Sequence, residues 1–209
     1  MTAAATELDD DLDAVSSEKR IPWVFAIWLI VAGVIGEIAA FALTVEKFQV
    51  LQNPGTSASC DISVFVQCTK NLDSWQGSVF GFPNPLIGLI CWMAPIVVGV
   101  ALLAGARFPK WFWIAFNVGV AGALAFVIWL ISQSVFVLGT LCPWCMLVWS
   151  VTIPLFWIVT ARNLAEGVYG DALVGFGKAL RSWAIPVTIV SYALVALVAQ
   201  LRLDLLQYL

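Results

Sequence analysis

The chain has 209 residues, of which 62% are hydrophobic and 11% charged, with a formal net charge of −3. A soluble domain averages about 45–50% apolar and about 25% charged, so these residues cannot cover a water-soluble globule, and the chain reads as a membrane protein forming one compact helical bundle. No basic patch points to nucleic acid, and the absence of histidine excludes imidazole acid–base catalysis and most transition-metal sites.

Six of the thirteen acids fall in the first eighteen residues (Glu7, Asp9, Asp10, Asp11, Asp13 and Glu18). Residues 1–20 therefore read as a disordered, solvated acidic tail. They lack the basic start and cleavage site of a signal peptide, so removal is not expected.

Five apolar runs follow, at about 21–44, 86–104, 111–136, 143–161 and 182–201. Each approaches the roughly 20 residues a helix needs to cross a bilayer. Barrel strands would alternate over about ten residues, and no such alternation is present. Trp23, Trp111, Trp113, Trp144 and Trp183 lie near run ends, as in an aromatic belt. The expected fold is all-α: a polytopic four-helix transmembrane bundle over 21–162, then a cytoplasmic linker and a fifth transmembrane helix over 163–209.

Orientation follows from the basic residues. Lys19, Arg20, Arg107, Lys110, Arg162, Lys178 and Arg181 fall in segments that share one side, against Lys47, Lys70 and Arg202 on the other. The N-terminus is then cytoplasmic, and the C-terminus, the 45–85 loop and the 137–141 turn are extracytoplasmic. A loop of about forty residues is too long for a mere connection. Asn53-Pro54-Gly55 opens it with a turn signal. Residues 74–82, with Trp75, Val79, Phe80 and Phe82, read as a short capping helix on the membrane surface or as a lid.

This topology gathers four cysteines at one face, the oxidising side of an inner membrane or of the endoplasmic reticulum. Cys142-Pro143-Trp144-Cys145 carries the strongest signal. Proline favours the first helical position, which puts Cys142 at the cap. The helix N-terminus and the Cys-x-x-Cys spacing both stabilise a thiolate. A static bridge there would close too short a loop to be a useful staple. Cys60 and Cys68 read either as a mobile shuttle disulfide or as a loop staple, and the neighbouring Cys-x-x-Cys favours the shuttle. A four-thiolate zinc site would use two short knuckles, and the seven-residue spacer argues against it. No metal site is expected. Cys91, inside the second span, reads as a small core residue.

In this pattern Cys60-Asp61 is followed by Cys68, by Ser74 six positions on, by Asn84 before the second span and by Cys142-x-x-Cys145. It resembles the vitamin K epoxide reductase (VKOR) family in its bacterial form. The resemblance implies a four-helix bundle around a quinone pocket, capped by the outer loop. Cys142 and Cys145 would be the active-site pair with Cys145 at the quinone. Cys60 and Cys68 would relay electrons from a partner, Ser74 would belong to the catalytic loop, and Asn84 would hydrogen-bond a quinone oxygen. The implied order is attack on Cys60 by a partner thiolate, then attack of Cys68 on Cys142 with Cys145 leaving. The quinone would be menaquinone, ubiquinone or a phylloquinone type.

Many bacterial members carry a thioredoxin-like domain after the fifth span. This sequence ends at Leu209, so a separate thioredoxin-fold (DsbA-like) partner is expected. The vertebrate enzymes place a tyrosine one turn after the last active-site cysteine. Trp149 stands there and can donate a hydrogen bond but has no oxygen, a departure that leaves epoxide reduction open and the expectation of quinone reduction in place. Trp144 and Trp149 are the pocket candidates among the tryptophans. Glu37, the acid inside a span, is a functional candidate or a hydrogen-bonded structural residue, and Gly33 and Gly36 suit close helix packing. A DsbB-type thiol oxidase is the alternative enzyme, although there the Cys-x-x-Cys comes first. A non-enzymatic membrane protein with stapled outer loops is the remaining reading.

Overall fold

The computed structural model describes residues 23–53 and 55–204. The acidic tail expected at 1–20 lies outside the described residues. Among those described, five helical segments are long and apolar enough to cross a membrane, and the all-α bundle expected from the sequence is borne out.

Helix α1 runs Trp23–Gln52. A short α2, Thr69–Asp73, and a 3-10 turn, Trp75–Ser78, form the cap. The second span divides into α3, Pro85–Cys91, and α4, Met93–Leu103. Helix α5, Lys110–Ser132, continues into a π-helical turn, Gln133–Leu138. Helix α6 is Pro143–Ala165, and α7, Val174–Leu203, completes the fifth span. Helix α1 packs along α4 and α6, α5 and α7 both lean on α6, and α3 and α4 make little direct contact with α5. That separation leaves a cavity between them.

Glycine sets the closest approach. A Cβ on Gly33 would strike Ile96, and one on Gly36 would strike Trp92, so α1 can meet α4 only because both positions lack a side chain. Trp92 is buried in this seam.

Boundaries differ from the hydropathy reading for identifiable reasons. Helix α1 extends two turns beyond residue 44 because its charged end finds partners. Glu46 accepts from the Ser59 N–H at 2.9 Å and from the Ser59 hydroxyl. Lys47 Nζ donates to the Leu72 carbonyl at 2.8 Å and pairs with Asp73 at 3.0 Å. The outer segment therefore starts near residue 53, not 45. The second span breaks at Trp92 because Pro95 cannot donate to the Cys91 carbonyl four residues back and its ring crowds it. Pro154 likewise releases the Ser150 carbonyl inside α6, and the Tyr192 hydroxyl of α7 donates to it. That bond helps fasten a fifth span whose surface is otherwise mostly open to lipid.

Candidate functional site

The outer segment is folded onto the bundle by its backbone. Val66 forms a parallel bridge with Leu141. The Gln67 N–H donates to Leu141 O at 3.1 Å, and the Leu141 N–H donates to Phe65 O at 2.7 Å. This two-residue zipper brings Cys68 to Cys142. Cys60 and Cys68 form a disulfide. Cys142, fully buried, directs its thiol at Cys68 Sγ from 3.2 Å. Cys142 is the N-cap of α6, and its Sγ accepts from the Cys145 N–H at 3.4 Å. Cys142 and Cys145 are both unbonded thiols. The four sulfurs thus form a continuous row at one end of the bundle, from Cys60 through Cys68 and Cys142 to Cys145.

Electrostatics favour a thiolate at Cys142. A hydrogen bond from the Cys145 thiol lowers its pKa; burial opposes this, and the backbone N–H groups of Cys145 and Trp144 reinforce it, so the net direction is down. Asp61 supports the neighbouring turn. Its Oδ1 accepts from the Cys68 N–H at 2.7 Å and the Thr69 N–H at 3.0 Å. Burial pushes its carboxyl up, but these bonds and one from the Thr69 hydroxyl outweigh burial and hold it below the usual range.

Cys145 lies where the row meets the cavity, which has a volume of about 590 Å³ and largely apolar walls. This is the size of a small-molecule site. Ser74, Asn84 and Trp149 also line it. Trp149 is buried one turn beyond Cys145. The Ser74 hydroxyl donates to Asn71 O at 2.7 Å and accepts from the Gly77 N–H at 3.3 Å, shaping the cap turn. Asn84 Oδ1 accepts from the Val79 N–H at 3.1 Å, and its Nδ2 donates to Gln76 O at 2.6 Å. Much of its amide is thus engaged in holding the 76–84 segment, with one N–H remaining. Trp144 is not brought to the cavity; it packs against the buried cluster of Cys60, Cys68 and Cys142. Apolar walls carrying a few polar side chains are the chemistry of a site for a small, largely apolar molecule.

The cap over the cavity is anchored by aromatic pairs, Trp75 on Trp129 and Phe80 on Phe126, each with ring centroids 5.9 Å apart. Residues 74–82 therefore form a lid seated on α5. Glu46, Lys47, Asn71, Gln76 and Gln133 shape the site and were missed as candidates in the sequence. Their signal was only that polar side chains interrupt apolar surroundings.

No curated protein matches the chain in a sequence comparison. A family model does: that of the vitamin K epoxide reductase family, over residues 27–160. The matched stretch covers well over half the chain and contains the whole sulfur row, so this membrane protein belongs to the vitamin K epoxide reductase family and is an oxidoreductase with a cysteine redox centre.

Proposed function

We propose that the chain is a quinone-dependent thiol:disulfide oxidoreductase that reoxidises a separate thioredoxin-fold (DsbA-like) protein and so supports disulfide formation. The observation that carries this reading is the sulfur row, buried at Cys60, Cys68 and Cys142 and ending with Cys145 at an apolar cavity. A pair of loop staples would need no third sulfur 3.2 Å from the disulfide.

The electrons move in pairs. A partner thiolate attacks Cys60, breaking the Cys60–Cys68 bond and releasing the Cys68 thiolate. The partner's second thiol then displaces Cys60, leaving a partner disulfide and a Cys60/Cys68 dithiol. Cys68 attacks Cys142 of an oxidised Cys142–Cys145 pair, and Cys145 leaves as thiolate. Cys60 resolves the Cys68–Cys142 bond, which reforms Cys60–Cys68 and leaves Cys142 and Cys145 reduced. Each step is ordinary thiolate exchange through a mixed disulfide. A quinone supplies the terminal acceptor for two electrons and two protons. The Cys142/Cys145 dithiol closes to a disulfide as it gives them up. Trp149 walls the ring site, Trp144 packs over the sulfurs, Ser74 holds the cap turn, and Asn84 offers its remaining N–H to a ring oxygen, where it stabilises developing negative charge.

The bundle lies in a cell inner (plasma) membrane with its N-terminus cytoplasmic and its cysteines and C-terminus extracytoplasmic. The quinone enters from lipid. Single-cysteine trapping tests the order. In a Cys145→Ala variant isolated with Cys60–Cys68 oxidised, the Cys142 thiolate attacks Cys68 and expels Cys60, the reverse of the resolving step, so a Cys68–Cys142 bridge should accumulate, seen as a linked peptide by non-reducing mass spectrometry. A linkage of Cys142 to Cys60 instead would contradict the order given.

A further inference from the structure

Among the polar side chains lining the cavity, Gln76 stands out as incomplete. It is 3% exposed, and its Nε2 donates to Gln133 Oε1 at 3.3 Å. Its own Oε1 is buried with no hydrogen-bond partner. A buried acceptor without a donor carries a cost that a ligand donor can remove. The polar neighbours are not in this state. Ser134 Oγ donates to Asn71 Oδ1 at 3.0 Å, and Asn71 Nδ2 donates to Gln67 O and Thr140 Oγ1, both at 3.0 Å. The position of Gln76 is also fixed, since Asn84 holds its carbonyl.

We infer that Gln76, backed by Gln133, forms a second hydrogen-bonding subsite for the quinone ring; this rests on the function proposed above. The two amides can serve both redox forms of the ligand. As they stand, Gln76 offers an acceptor, which suits a quinol hydroxyl. A half-turn of both terminal amides about χ3 preserves their shape and reverses their bond. Gln133 then donates to Gln76 Oε1, and Gln76 offers an N–H, which suits a quinone carbonyl. That torsion is broad and two-fold in glutamine, and the amide O and N are nearly interchangeable in size. Gln133 begins the π-helical turn, a form of helix frequent at functional sites. Asn84 contributes twice, through its free N–H and by positioning Gln76.

The test compares a two-ring naphthoquinol with its dimethyl ether, binding to the purified chain in lipid nanodiscs. Both ligands accept hydrogen bonds and only the quinol donates, so the affinity ratio reports an acceptor in the site. Wild type should prefer the quinol by about tenfold, the worth of one good bond. Gln76→Leu should bring the ratio near one. The double variant Gln76→Leu/Gln133→Leu, which leaves no orphaned amide, should do the same. It should also raise the KM for naphthoquinone. A double variant that keeps the wild-type ratio would overturn the subsite alone. A wild type that neither binds nor reduces the naphthoquinone would overturn the quinone reading and the subsite with it.

Discussion

At the end of the bundle away from the sulfurs, Asn163 is fully buried. Its Nδ2 donates to Trp113 O at 3.1 Å and to Asn117 Oδ1 at 3.2 Å. Arg162 donates to Asn163 Oδ1 at 3.3 Å, pairs with Glu166 at 2.6 Å and sits 3.8 Å over the Trp113 ring. Every member of that network has somewhere to point, and the helices it joins are locked. At the sulfur end the polar groups are arranged differently. Two thiols are unbonded, one amide oxygen has no partner, and the cap is tied to α1 through Glu46 and Lys47 at its own surface. The contrast separates a region built for stability from one built for exchange, since a satisfied network gains nothing by moving whereas an incomplete one can trade partners.

The comparison breaks most sharply at the two extremes. Cys142→Ser should lower quinone-linked turnover by at least about a thousandfold, since it removes the sulfur through which the two pairs exchange and losing one member of a unit removes nearly the whole rate, and leave thermal unfolding unchanged. Asn163→Leu should do the reverse. It strands buried partners at a cost of about 2–3 kcal/mol, read as a lower unfolding midpoint by circular dichroism, with exchange rates intact below that midpoint. Equal loss of turnover in both variants would erase the distinction between the two ends.

Much of this architecture could be read from the sequence, and the failures have physical causes. Five apolar runs fixed the spans, and the Cys-x-x-Cys after a turn fixed where α6 begins. Glu46 and Lys47 looked like the end of a membrane helix because hydropathy measures lipid solubility, whereas the helix continues wherever side chains find partners. Pro95 was visible, yet the break at Trp92 follows only from its position four residues past Cys91. The Val66–Leu141 bridge joins two residues with no periodic pattern, so nothing local announced it. Trp144 shares a motif with Cys145 but leaves the helix start in another direction, toward the disulfide. Gln76 signalled only that a polar residue interrupts an apolar stretch, and an amide among aromatic residues becomes informative only when its unpaired oxygen is seen.

Smaller effects sharpen the picture. Gly119 and Gly122 line the cavity, and a Cβ at either meets nothing within 4 Å. Leucine there should fill the cavity without straining the helix, raising the KM for quinone by roughly tenfold and leaving partner exchange alone. The pH profile offers a further check. The Cys142 pKa is lowered, which makes Cys142 the better leaving thiolate when Cys60 resolves the Cys68–Cys142 bond; reduced Cys142 should stay open to alkylation below the ordinary thiol value of about 8.5 and lose reactivity only as pH falls through the depressed value. In a Cys68→Ala background, where Cys142 has no bridge to form, Cys145→Ala removes the leading cause of the depression and should move the alkylation profile of Cys142 to higher pH. The smallest effect belongs to the cap. Cys60 and Cys68 are both buried, so a partner must lift the cap to reach them. Lys47→Met, which removes a partly exposed ion pair, should speed opening of the disulfide by a small thiol about threefold.

The central claim is that electrons cross both cysteine pairs on the way to a quinone. Differential thiol alkylation followed by mass spectrometry, in membranes first depleted of quinone and then resupplied, measures this directly. Depletion should leave all four cysteines reduced in the presence of reduced partner, and resupply should close Cys142–Cys145 before Cys60–Cys68. A Cys60–Cys68 bond that stays closed throughout would contradict the account.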